Sequence, residues 1–286
     1  MNIEQLINKK FNTDKGVLYF IELLHKEFPT LKMNLEVLPK LNVVEMSEEY
    51  YQQTGFVAEF VYDRSEIKLL TKSEGTDRLT EDEILKSFFH ELVHAVSSKS
   101  DEKYIYEGLN IRDKNTKENS PLLGLNEGIT QYIVNKVLGE QKDVYPYQTL
   151  FAAQLATIIG DDNLMECYSN NSNVQLQEIL SNSVSCFSPE DFGRYVQLIN
   201  IIPGFFDETF YRCELGLCLK MIQDITIKWY NSSEKTENTI QNFEDLILTS
   251  EKAKEIQIIS LMPYDIFGLE ALDELEEIKG VGNGKQ

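Results

Sequence analysis

The sequence predicts an α+β protein, with a small mixed sheet and two chemistry-bearing helices ahead of a mostly helical second half. Three observations predict it. Residues 35–70 carry short runs of β-branched and aromatic residues separated by turn residues. Residues 80–98 and 125–138 repeat apolar side chains at helical spacing. Beyond Gln141, helix-starting signals recur with no further strand pattern.

Taken in order, residues 14–28 read as a helix, with Val17, Tyr19, Phe20, Leu23 and Leu24 on one side and Pro29 closing it. Leu35, Val37, Val43 and Val44 indicate short strands. Residues 55–62 read as a strand, Asp63-Arg64-Ser65 as a turn, and 67–70 as the returning strand. Residues 73–78 form a polar loop. Residues 100–120 read as loop apart from one strand at 104–111. Gly139 sits where helices end. Tyr145-Pro146 opens a helix that ends at Gly160, and Ser188-Pro189 starts another with a cap and a first-turn proline. Residues 207–229 are expected to form a long helix interrupted near Gly216.

Composition bounds the function. The chain has 286 residues, with 27 Lys+Arg against 47 Asp+Glu, a formal net charge of −20. A hydrophobic share of 42% is enough for a core, which excludes global disorder. An acidic chain lacks the positive field that phosphate recognition needs, so no nucleic-acid partner is expected. At roughly 150 residues per domain the length allows two units. The expected division is 1–140, 141–279, and a Gly-rich disordered tail at 280–286. No basic-then-apolar leader stands at residues 1–6, and apolar runs such as 199–206 are too short to span a bilayer. Cys167, Cys186, Cys213 and Cys218 have no CxxC spacing and read as reduced thiols. A cytoplasmic protein without membrane contact is the expectation.

The chemistry begins at residues 80–96. Thr80 followed three residues later by Glu83 is a capping box that fixes where the helix begins. Ile84, Leu85, Phe88, Leu92, Ala95 and Val96 form its buried stripe. His90 and His94, four residues apart, project from one face and can ligate one Zn²⁺ ion per chain. Glu91 lies beside them, placed as a general base. The chain has three histidines, and the remaining one, His25, sits in a charged N-terminal helix. A third ligand is therefore sought among downstream carboxylates. Glu127 stands out, in the first turn of a helix with Asn126 as its expected N-cap.

The sequence His90-Glu91-Leu92-Val93-His94 followed by Leu125-Asn126-Glu127-Gly128 resembles the gluzincin branch of the zincin metallopeptidases over about residues 55–140. The resemblance implies a zincin-like core with His90, His94 and Glu127 as the metal ligands. It also implies hydrolysis of peptide bonds in a peptide or protein substrate, with Glu91 as general base. Three departures are visible. The interval from His94 to Glu127 is longer than in gluzincin aminopeptidases, so a loop or hairpin is inserted. Gln131 stands where a thermolysin-like pattern has an aspartate. The Gly-x-Met-Glu-Asn stretch of aminopeptidases is missing, which favours an endopeptidase. Thr130 and Gln131 are candidates to orient a zinc ligand. Gluzincins often stabilise the oxyanion with a tyrosine; Tyr147 is the choice here, with Tyr132 assigned to the core. The strand at 67–70 is the candidate to pair with extended substrate. The arginines Arg64, Arg78, Arg112, Arg194 and Arg212 receive no role. A zinc-carrying regulatory or interaction module without catalysis would use the same ligands; the intact Glu91 argues for the enzyme.

Overall fold

A computed structural model describes residues 3–71, 79–139, 145–202, 212–235, 242–249 and 252. In chain order its elements are α1 (Ile3–Phe11), α2 (Gly16–Glu27), a 3-10 helix at Leu35–Lys40, β1 (Asn42–Glu45), α3 (Glu48–Thr54), β2 (Ala58–Val61), a 3-10 turn at Tyr62–Arg64 and β3 (Glu66–Leu69). There follow α4 (Glu81–Ser97), β4 (Ser98–Ser100), β5 (Tyr104–Glu107), β6 (Asn110–Asp113), α5 (Leu123–Leu138), α6 (Pro146–Ile159), α7 (Asp161–Asn170), α8 (Asn173–Ser183), α9 (Pro189–Ile201) and α10 (Arg212–Asn231). The chain is α+β and helix-rich. The expected loop at 73–78, the division at 140/141, the first residues of the helix expected at 207–229 and the tail at 280–286 lie outside the described residues.

The capping box forms as its spacing requires. Thr80 Oγ1 accepts the Glu83 N–H at 3.2 Å, and the Glu83 carboxylate accepts the Thr80 N–H at 2.7 Å. That start sets the rotational phase of α4. From Phe88 to Ser97 every residue but Glu91 is buried, so α4 threads the interior instead of lying on the surface. Phe89 stacks on Phe20 of α2 at 4.2 Å between ring centroids. One continuous apolar core includes residues from Leu6 to Leu248.

The first sheet has the order β1-β3-β2, with β1 parallel and β2 antiparallel to β3. This corrects the expectation for the strand at 67–70. Both edges of β3 are occupied, so it has none to offer a substrate; the free edge next to α4 belongs to β2. Leu35 and Val37 lie in a 3-10 helix, not a strand, because Pro39 cannot donate to a ladder. Gly55, with φ of 70°, ends α3 and leaves a shorter strand than residues 55–62 would give.

The interval between His94 and Glu127 holds the second sheet, order β4-β5-β6. The single strand expected at 104–111 is a hairpin that turns at Gly108, where φ is +57°. A Cβ there would lie 2.2 Å from the Tyr168 ring, so both the turn and the contact require glycine. Among the later elements, α9 starts at Ser188 with Pro189 in its first turn, as expected. No break interrupts α10 at Gly216, because the helix is packed in place against α6 and α9.

α5 begins at Leu123, one turn earlier than the expected cap at Asn126. Asn126 is buried inside the helix, where its Oδ1 accepts the N–H groups of Leu109 at 2.8 Å and Asn110 at 3.4 Å. At Gly128, α5 meets α6 so closely that a Cβ would stand 2.4 Å from the Gln148 carbonyl oxygen. Gly128→Ala is therefore expected to lower stability by about 1–3 kcal/mol, the usual range for overpacking, read as a lower urea midpoint at unchanged slope.

Candidate metal centre

Three ligand atoms converge where α4 and α5 cross. His90 Nε2 lies 3.0 Å from Glu127 Oε2 and 3.1 Å from His94 Nε2, and His94 Nε2 lies 3.3 Å from Glu127 Oε2. His90 and His94 are only 4% and 6% exposed, so water does little to solvate the triangle. Gln131 fixes the chemistry of one corner. Its Nε2 donates to Asn135 Oδ1 at 3.0 Å, which turns its Oε1 toward His90 Nδ1 at 2.9 Å. His90 therefore carries its proton on Nδ1 and presents the Nε2 lone pair to the triangle.

Three electron-pair donors at such distances repel unless something positive sits among them. A tetrahedral cation with bonds of 2.0–2.1 Å places its ligand atoms about 3.3 Å apart, so the observed triangle fits one face of such a polyhedron. The donor set, two imidazoles and a carboxylate, suits zinc. In the absence of a cation, a proton takes that place. Burial alone would lower the proton affinity of His94. The Glu127 charge and hydrogen bond outweigh it, helped by Glu91 and Glu107, and lift its pKa to about 9. Glu127 is pushed the other way: burial favours its neutral form, but His94 and His90 hold it far below the ordinary carboxylate range. Glu91 is raised by burial, against the pull of both histidines.

Two corners of the triangle, His94 and Glu127, form part of the floor of a cavity of about 340 Å³. Phe56, Ala58, Glu59 and Phe60 make one wall, from β2 and the turn before it. Glu107, Asn110 and Arg112 of the β5–β6 hairpin make another, and Tyr145 and Gln148 stand at the start of α6. Glu91 opens into the same space, with its Oε2 accepting the Phe60 N–H at 2.8 Å.

His90, Glu91, His94, Glu127 and Gln131 are thus brought together. Thr130 is not: its hydroxyl contacts Tyr168 at 2.8 Å and the Asn126 carbonyl at 2.9 Å, bracing α5 against α7 without touching a ligand. Tyr147 is fully buried and does not line the cavity. The tyrosine that does is Tyr145, whose ring centroid lies 5.4 Å from that of His90. Pro146 explains the exchange. It starts α6 with Tyr147 turned into the core, leaving Tyr145 ahead of the first turn with its ring beside that of His90. His25 is exposed on α2, away from the cavity. Glu107 lies in the strand expected at 104–111 and Arg112 just beyond it, and neither carries a sequence signal for a place in this wall.

The triangle makes the metal-free protein sensitive to pH. His94 rises from an ordinary 6.5 to about 9, so its stabilising contribution is complete below pH 6.5 and is lost as the pH climbs through 9. Glu127 falls below its ordinary 4.5, so its contribution holds above that value and disappears in acid. With chelator present, the melting temperature is expected to fall between pH 6.5 and 9, and Glu127→Gln should flatten that decline. Saturating zinc should reverse the slope, because protons then compete with the cation.

No helix among the described residues is long and apolar enough to cross a membrane. The chain matches no protein-family model, no curated protein and no solved structure.

Proposed function

We propose that this protein is a zinc-dependent endopeptidase built on a zincin-like core. The observation that carries the reading is that His94, Glu127 and the Glu91 carboxylate line one cavity, with His90 Nε2 directly against the His94 and Glu127 donor atoms. His90, His94 and Glu127 would supply three protein ligands, the number a catalytic zinc keeps when one position is left for water or substrate. Zinc, when bound, supplies a Lewis acid that polarises the substrate carbonyl and makes water nucleophilic at neutral pH.

The chain's own groups do the rest. The Phe60 N–H holds one oxygen of Glu91, leaving the other to take a proton from the attacking water and deliver it to the leaving amine. Burial raises the proton affinity of Glu91, which suits it to that exchange. Tyr145 keeps its phenolic proton, because burial and the charges of Glu127 and Glu91 push its pKa up. It is the donor best placed to meet a developing oxyanion, the role first assigned to Tyr147. Substrate would lie along β2. Val57 turns its carbonyl to β3, accepting the Leu70 N–H at 2.8 Å, so by strand alternation Ala58 and Phe60 present their backbone groups to the open edge. Phe60 has given its N–H to Glu91; the remaining groups can pair with an extended peptide. The position of Glu91 favours this reading over a module that merely holds a metal.

Zinc is expected at one equivalent per chain by elemental analysis. Glu91→Gln should keep that zinc and lose about 10²–10⁴-fold in peptide hydrolysis; undiminished hydrolysis would refute the assignment. Tyr145→Phe should lower kcat by about 10²–10³ with zinc retained, whereas Tyr147→Phe should act on stability alone. Gln131→Leu should weaken zinc binding about 10–100-fold in a chelator competition, since His90 loses the partner that fixes its tautomer.

A further inference from the structure

Arg112 stands on β6, in the wall of the cavity whose floor holds His94, Glu91 and Glu127. Among the described residues it is the one lysine or arginine that lines this space. Its guanidinium carries five N–H donors and cannot shed its charge. Yet among the described residues its side chain makes no hydrogen bond and no ion pair, and its Nε is shut off from solvent without a partner. The residue as a whole is half-buried, but a donor shut off from solvent in this way is costly unless an acceptor arrives.

The carboxylates around the cavity do not supply that acceptor. Glu59 is committed to Lys68 at 2.9 Å and to the Tyr50 hydroxyl at 2.7 Å. Glu127 belongs to the metal triangle and Glu91 is held by Phe60. Glu107 shares a face of the hairpin with Arg112, diagonally across the ladder, and does not come within ion-pair distance of it among the described contacts. Burial also favours the neutral form of Glu107, which leaves the Arg112 charge less compensated.

We infer that Arg112 anchors a carboxylate of the substrate, so that the cleft selects peptides bearing an acidic side chain or a free C-terminal carboxylate within reach of the cleaved bond. The inference rests on the peptidase reading above. A planar fork of N–H donors matches a carboxylate bidentately, which a lysine at the same place would not do. The acidic surface of the chain opposes approach of an anionic peptide only weakly at physiological salt; the anchor acts at contact distance.

The test uses the full zinc-loaded chain and two peptide libraries of identical sequences, N-acetylated in both, one C-terminally amidated and the other free acids. Cut bonds are identified by mass spectrometry. An internal acidic side chain as the anchor group predicts enrichment of Asp or Glu by about tenfold or more at one fixed position in both libraries. A terminal carboxylate predicts cleavage confined to the free acids. In either case Arg112→Gln should erase the preference while zinc content and fold persist, and Arg112→Lys should restore part of it. A binding measurement repeats the comparison without turnover. The Glu91→Gln protein should hold a fluorescein-labelled acidic peptide about tenfold or more tighter than its glutamine counterpart, and adding Arg112→Gln should close that gap. Cleavage of both libraries without acidic preference, or a preference that survives Arg112→Gln, overturns the anchor alone. Failure of zinc-loaded wild type to cut either library overturns the peptidase reading, and the anchor with it.

Discussion

Three lone-pair donors held within 3.3 Å of one another in a poorly solvated interior demand a positive partner. Much of the surrounding architecture can be understood as meeting that demand. The capping box fixes the phase of α4, and the phase decides that His90 and His94 face α5 while Leu92 and Val93 face the core. A slip of one residue at the start of the helix would rotate both imidazoles by about 100° and dissolve the triangle. The third corner depends on α5 crossing at the right height. That crossing is set by the glycine contact at Gly128 and by the buried hydroxyl cluster of Thr130, Tyr168 and Ser97.

The same demand separates the roles of the carboxylates around the cavity. Glu127 is drawn toward ionisation by its histidines, whereas Glu91 and Glu107 are pushed toward neutrality by burial. Carboxyl groups in one small space are thereby divided into one that stays ionised and others that hold a proton more readily, by their surroundings alone. The net charge of −20 contributes little to this division, since exposed acidic residues are screened by solvent and salt.

How much of this was legible in the sequence depends on whether the signal was local. The capping box, the i, i+4 histidines, Gly139 and Ser188-Pro189 are local, and each appears where the sequence places it. Gln131 was legible too, since position i+4 from Glu127 puts it over the same helix face. Nonlocal features were hidden. Pro146 marks where α6 starts, but which of Tyr145 and Tyr147 reaches the cavity is decided by how that helix docks. The hairpin at 104–113 has the sequence pattern of one strand over 104–111, since Gly108 marks a turn only once Tyr168 and Asn126 are seen to crowd it. Arg112 drew no role for the same reason. Asn126 was mistaken for a cap because its type fits that position, while its amide is spent on a neighbouring hairpin.

That last contact carries a mechanical consequence. Asn126 is joined by one peptide bond to Glu127, and its Oδ1 grips the Leu109 and Asn110 N–H groups at the tip of the hairpin that bears Arg112. On the proposed reading, a cation at Glu127 and a peptide against the hairpin would act on opposite ends of this single short connection. A shift of Glu127 would then be felt at the hairpin wall, and a shift of the wall at Glu127. Thermodynamic reciprocity then requires each guest to alter the affinity for the other by the same factor.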